Sequence, residues 1–322
     1  GAVVWERFNK QNVGKGYALK FLYEKICACF PDKRYDGYFV FDADNLVDSR
    51  FLMEMNNAYM AGARAAQDYR DSKNPYDTAV SGCYSIYYWM MDRFYNGGKN
   101  GLGLSAMING TGFMVADGTL KKLGGWCTGT ISEDMEMTVL CTLADVKVHW
   151  VPLARTFDEQ PLTLAQSNCQ RRRWTSGTFQ VAQAYLPRVG QGLALRPALP
   201  LADLGITLLL PAYQLAMLLN LTVGALSAFF GGNTIQEGMG RLLAYGGSSL
   251  AFTALVTTLS VVLVLTVEGK WDRRLWKAVG VYWLFLLTWL PITAASLVKG
   301  TTSWEQIRHT RSIRAEAVLV KK

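Results

Sequence analysis

Three stretches of this 322-residue sequence hold no Asp, Glu, Lys, Arg or His: Leu204–Phe230, Leu243–Val267 and Ala278–Val298. Each is long enough to cross a bilayer core as a helix, which takes roughly 20 apolar residues. Three such runs in succession exclude a wholly water-soluble chain. The same absence of charge argues against a transporter or scaffold, whose intramembrane ionisable groups would line a path. Cysteine is scarce and poorly arranged for metal. Cys27, Cys29, Cys83, Cys127, Cys141 and Cys169 form no C-x-x-C pair, and no His stands at zinc spacing. They read as reduced thiols on a cytosolic face. No signal peptide or initiator Met is present. The chain opens on "GAVVWER", already strand-like, so a fragment whose natural N-terminus lies upstream is expected.

What the sequence has in excess is positive charge, +8 net. No basic helix or aromatic-interleaved basic sheet accompanies it, which removes nucleic acid as a partner. The basic residues flank the apolar runs instead. Arg171, Arg172, Arg173, Arg188 and Arg196 precede the first run, and Lys270, Arg273, Arg274 and Lys277 separate the second from the third. Such clusters favour the anionic cytoplasmic leaflet, and Arg171 and Arg172 are expected to face lipid. Three full crossings would leave the basic tail (Lys299, Arg308, Arg311, Arg314, Lys321, Lys322) on the opposite side. One run is therefore expected to be re-entrant or interfacial. Leu204–Phe230, with Pro211, Gln214 and Asn220, is the one that composition points to.

The N-terminal half alternates strand and helix patterns. "AVVWER", "YDGYFVFDAD", "SAMINGTGFMVA" and "VKVHWVPLA" read as strands. "GKGYALKFLYEKICACF" reads as a helix, and so does "DSRFLMEMNNAYMAG", with Asp48 or Ser49 as N-cap and Gly62 as stop. This order predicts an open α/β sheet, parallel in the main, with ligands beyond the strand ends. One such end is "YFVFDADN", where an apolar strand runs into Asp42 and Asp44. A calcium loop does not fit, because Leu46, Val47 and Met53 occupy the fifth, sixth and twelfth positions. A divalent cation held by carboxylates and substrate phosphates does fit. Capping of the next helix is the structural alternative for Asp44.

Two later stretches narrow the choice. "TISEDMEMT" starts a helix-like segment with Ser132, Glu133 and Asp134, and "QSNCQRRRWTSG" supplies Gln170, Arg173 and Trp174 as Q-x-x-R-W. In this order, ahead of membrane helices, the chain resembles the membrane-bound family 2 inverting glycosyltransferases, the branch with cellulose, hyaluronan and poly-N-acetylglucosamine synthases. The resemblance covers roughly residues 1–177 and extends to "NVGKGYAL", "NGTGF" and "LGGW". It implies a GT-A-like open twisted sheet, here without its first β-α-β unit, followed by transmembrane helices. It further implies that Asp42 and Asp44 bind the nucleotide-sugar diphosphate through Mg²⁺ or Mn²⁺, with Lys15 near the nucleotide. Asp134 matches the general base, with Glu133 beside it. Gln170, Arg173 and Trp174 match the motif whose arginine faces the diphosphate and whose tryptophan stacks on the acceptor sugar. Thr111 and Trp126 are expected in the sugar pocket.

The expected organisation is a cytosolic catalytic domain over 1–185, an interfacial linker over 186–203, apolar helices over 204–298 (about 204–230, 243–267 and 276–298) and a basic tail over 299–322. The implied activity is metal-dependent, inverting hexosyl or N-acetylhexosaminyl transfer from a UDP-sugar to a growing polysaccharide. The protein would be multi-pass in the cell membrane and contact its lipids. A glycolipid synthase with a lipid acceptor is the alternative.

Overall fold

The computed structural model describes residues 2–301. The basic tail beyond Thr301 lies outside the described residues. Five strands, β1 (Gly37–Val40), β2 (Leu46–Val47), β3 (Ala65–Ser72), β4 (Phe113–Ala116) and β5 (Val148–Asp158), form one sheet in the order β1-β4-β3-β5-β2. The helices of the N-terminal half are α1 (Lys15–Cys29), α2 (Phe51–Met60), α3 (Ala79–Met90), α4 (Gly97–Gly101), α5 (Asp117–Leu123) and α6 (Glu133–Leu143). A π-helix, Met91–Asn96, joins α3 to α4. Then follow α7 (Leu164–Leu195), α8 (Leu199–Leu208), α9 (Leu210–Phe230), α10 (Ile235–Val267), α11 (Trp276–Leu287) and α12 (Trp289–Val298).

The sheet is mixed, which corrects the expectation of a mainly parallel one. Only β3 with β5 is parallel; β1–β4, β3–β4 and β2–β5 are antiparallel. An apolar run marks a buried strand but carries no sign of its direction. Residues 2–7 form no strand, because a strand needs a neighbouring ladder and nothing among the described residues supplies one. "SAMINGTGFMVA" is extended only over β4; its first half is a loop in which Gly110 and Gly112 take φ of 86° and 64°. Neither Asp48 nor Ser49 is the N-cap of α2. Arg50 holds that place, and the Asp48 carboxylate accepts its N–H at 2.8 Å. Residues 186–195 continue α7 through Pro187, and α8 begins four residues after that helix ends.

The main core packs α3 against the sheet, with Tyr69, Tyr84, Trp89, Phe113 and Trp150 buried together. It also takes in Val261, Val264 and Leu265 from the end of α10 and Leu275, Ala278, Tyr282 and Phe285 from the α11 region. Among the described residues, three helical segments are long and apolar enough to cross a membrane: Leu210–Phe230, Ile235–Val267 and Arg273–Val298. The break at Leu209 falls just before Pro211, which has no N–H to extend α8.

Candidate active site

The chain turns sharply after β1. Asp42 N–H donates to Asn45 Oδ1 at 2.8 Å and to Thr111 Oγ1 at 3.1 Å, and Asn45 N–H returns to Asp42 O at 3.0 Å. Thr111 also donates its hydroxyl to Asn45. Thr111 is fully buried, so it acts on the Asp42–Asn45 turn rather than as an open sugar contact. Its loop is fixed by Gln67, whose amide accepts Asn109 N–H at 2.8 Å and donates to Thr111 O at 2.9 Å.

Lys15, the first residue of α1, reaches across this turn. Its ammonium pairs with Asp42 and donates to Gly110 O. The glycine beside it is required. A Cβ on Gly16 would stand 3.1 Å from Glu133 Cβ and 2.8 Å from Thr128 Oγ1. Gly110 abuts the other acid, since a Cβ there would stand 3.2 Å from Asp134 Oδ2. Residues separated by some ninety positions in the chain therefore share one small volume. Asp42, Lys15, Gly110, Glu133 and Asp134 form a continuous site.

Glu133 and Asp134 open α6 and keep partial access to solvent. Burial raises the pKa of both carboxyls, and for Glu133 the Asp134 charge adds to the rise. Lys15 opposes the rise at both, and Arg70 opposes it at Asp134. For Glu133 desolvation outweighs the repulsion from the neighbouring carboxylate. A carboxylate at the helix N-terminus is otherwise in favourable company.

Arg70 was missed in the sequence. It lies on β3 and is buried with Asp158 of β5, to which its Nε donates at 2.8 Å and its Nη2 also donates. Nη1 donates to Asn109 O at 2.6 Å, and the guanidinium lies 4.3 Å from the Tyr88 ring centroid. Burial raises the Asp158 pKa, Arg70 lowers it, and Asp44 and Asp42 raise it further. The "FDEQP" segment that carries Asp158 had no role in the sequence reading. Glu136, one turn into α6, was also missed. Its Oε2 accepts from Gly129 N–H, Thr130 N–H and Thr130 Oγ1, and its Oε1 accepts from Tyr185 of α7. The signal for Glu136 was a charge among the apolar residues of α6, whereas the polar run that carries Arg70 gave none.

Q-x-x-R-W lies on α7, which packs on the start of α6. Ile131 N–H donates to Gln180 Oε1 at 3.2 Å, and Gly177 touches Ser132. Trp174 is half-buried, stacked on Trp289 of α12 with centroids 6.3 Å apart and planes at 22°. The Gln170 side-chain carbonyl is buried with no hydrogen-bond partner among the described residues. Arg173 keeps partial exposure, and its charge reaches Tyr84. Arg171 corrects the expectation that it faces lipid. It is fully buried and donates to Phe285 O at 3.1 Å, Thr288 Oγ1 at 2.7 Å and Asn168 Oδ1 at 3.0 Å. On α7 it points away from the exposed Arg172, so adjacency in sequence put the two on different faces. Trp126 is only 4% exposed, packed against Phe113 with its indole N–H given to Thr128. It is a wall of the core and offers no open face to a sugar.

Among the described residues, no three His, Cys, Asp or Glu side chains converge as a metal cage. Asp42 and Asp44 are a pair of carboxylates, with Asp42's side chain 41% exposed. That donor set suits a hard cation completed by phosphate oxygens and water.

A profile of the Glycosyl transferase family group 2 matches residues 39–298. The chain belongs to that family. The match takes in Asp42, Asp44, Glu133, Asp134, Gln170, Arg173 and Trp174, while Lys15 precedes it. A curated relative, the probable glycosyltransferase YdaM of Bacillus subtilis (strain 168), is 27% identical over 183 residues. Those residues are 54% of this chain and 41% of that protein, so the chain spans less than half the length of its relative.

Proposed function

We propose that this chain carries out inverting transfer of a hexosyl or N-acetylhexosaminyl group from a UDP-sugar to a growing polysaccharide at the cell membrane, with its catalytic half in the cytoplasm. The observation that carries the reading is Gly110, touched on one side by Lys15, which also holds Asp42, and on the other by Asp134. A donor diphosphate and an acceptor hydroxyl need to meet across such a distance for a single in-line displacement.

Asp42 and Asp44 would hold Mg²⁺ or Mn²⁺, which when bound supplies positive charge to the leaving diphosphate. Lys15 binds the same phosphates from the α1 N-terminus, where amide groups also favour an anion. Arg173 adds a planar fork from the acceptor side. Asp134 accepts the proton of the attacking hydroxyl, and its raised pKa brings it nearer the operating range of a base. Trp174 offers an indole face to the terminal sugar, with Gln170 one turn before it. The Q-x-x-R-W motif favours a polysaccharide acceptor over a lipid one.

Asp134→Asn tests this reading in the full-length protein, with turnover followed as UDP release. The variant is expected to bind UDP-sugar as the wild type does and to lose about 10²–10⁴-fold in rate, the loss typical of a removed general base. Glu133→Gln is expected to be milder. A rate above about a tenth of wild type in Asp134→Asn would move the role to Glu133.

A further inference from the structure

We infer that the third apolar segment, Arg273–Val298, is not a membrane crossing but an arm that leaves the catalytic domain and returns to it. The chain's two crossings among the described residues are α9 and α10. The inference concerns topology and stands apart from the reaction.

Length alone makes Arg273–Val298 a candidate span. Its 26 residues would reach about 39 Å as a straight helix, and a crossing delivers its far end about 30 Å from its start. Contacts at both ends forbid that. At the start, Lys270 pairs with the buried Asp71 of β3 and lies 4.4 Å from the Trp89 ring centroid. Glu268 accepts from Tyr69 at 2.7 Å and pairs with Arg93 of the π-helix, and the Arg274 guanidinium lies 3.8 Å over the Tyr76 ring. At the finish, Thr301 N–H donates to Ser176 Oγ at 3.1 Å and its carbonyl accepts from Gln180 at 3.3 Å. Lys299 O accepts from Arg172. Gln180 is the residue bonded to Ile131, two positions before Glu133. The segment therefore begins on the central sheet and ends beside the acids of α6.

What lies between is also part of the catalytic domain. α11 packs on α3 so closely that a Cβ on Gly82 would stand 2.6 Å from Ala278 Cβ. Leu275, Ala278, Tyr282 and Phe285 share the core of Tyr84 and Trp89. At the break between α11 and α12, buried Arg171 donates to Phe285 O and Thr288. A guanidinium placed in hydrocarbon would be expensive; placed against a soluble domain it is ordinary. α9 behaves oppositely: none of its apolar window is buried by protein.

The arm's outer face carries Trp276, Leu284 and Leu297 beside Lys277, a pattern that suits the interface of the catalytic-side leaflet. The two-crossing topology also removes the conflict over the basic tail. Thr301, after which the basic residues follow in sequence, stands on the side where positive charge is favoured. The re-entrant segment is thus the third apolar run, and not Leu204–Phe230.

Cysteine labelling of the full chain in sealed membrane vesicles decides the point. A membrane-impermeant maleimide is applied to Asn233→Cys, in the α9–α10 turn, and to Lys299→Cys, with modified peptides identified by mass spectrometry. Native Cys27, Cys29 and Cys127, all exposed on the catalytic domain, report its side. Lys299→Cys is expected to label together with the native cysteines, and Asn233→Cys on the opposite face. Labelling of Lys299→Cys together with Asn233→Cys would overturn the inference. Gly300→Cys reads the same point should Lys299→Cys disturb the arm.

Discussion

Gly177 is where the Q-x-x-R-W helix touches Ile131 and Ser132, the two residues just ahead of the acids of α6, and its smallness has a calculable consequence. A Cβ there would stand 2.7 Å from Ser132 Cβ and 3.0 Å from Ile131 Cγ2, with Ser132 Oγ also in the way. The hydroxyl can rotate aside, but Ser132 Cβ moves only with its backbone. Non-bonded carbons settle at about 3.5–4.0 Å, so Gly177→Ala has to push α7 from residues 131–132 by about 1 Å. Overpacking of this kind costs about 1–3 kcal/mol, which leaves a folded protein. The effect on turnover is larger. Trp174 and Arg173 ride on the same rigid helix, and a misplacement of about 1 Å at a reacting centre costs on the order of 10²-fold. UDP release from a UDP-sugar should therefore fall by about that factor, while Mn²⁺-dependent UDP binding, measured by calorimetry, stays near wild type. Ser132→Gly removes both obstructing atoms and should restore much of the rate in the Gly177→Ala background. A Gly177→Ala rate within about threefold of wild type, far from the 10²-fold expected of a 1 Å shift, would refute the proposed role of this joint.

Asp44→Ala should abolish metal-dependent UDP binding, since it removes one of the two carboxylates proposed to hold the cation beside the substrate phosphates; unchanged Mn²⁺-dependent affinity by calorimetry would end the assignment. Asp68 is fully buried, and burial pushes its pKa up to about 8. It keeps its proton in the folded state where the unfolded chain has lost it. Its contribution to stability is therefore fully present below about pH 4 and is lost as pH rises to about 8. Asp68→Asn removes that slope, so its melting temperature should gain on wild type steadily across this window and run parallel above it. A pH-independent difference in Tm would show that Asp68 does not bind the extra proton.

Much of the site was legible because its chemistry is local in sequence. Asp42 and Asp44 end an apolar strand, Glu133 and Asp134 start a helix, and Gln170, Arg173 and Trp174 share a helix one turn apart. Residue type and spacing carry that information. The same holds for the apolar runs, whose length and lack of charge need no tertiary contact to be seen. Arg70 and Asp158 were illegible for the complementary reason. They stand 88 positions apart and become partners only when β3 and β5 pair in parallel. A polar stretch such as "AAQDYRDS" reads as surface, yet all eight of its residues are buried among neighbours that the sequence does not place beside it.

The direction of the strands, the burial of Arg171 and Trp126, and the course of the third apolar segment belong to the tertiary structure alone. Hydropathy measures what a segment gains by leaving water, and it gives the same answer for lipid as for a protein core. α11 is apolar enough for either. It rests on α3 because Gly82 leaves room for Ala278 and because Lys270 and Glu268 find Asp71 and Arg93 in the N-terminal half. The sequence by itself determined which segments are apolar enough to leave water and which acids are candidates to bind a cation or take a proton. Only the folded chain decided what each apolar face leaves water for, since that depends on which partners the pairing of distant strands and helices brings within reach.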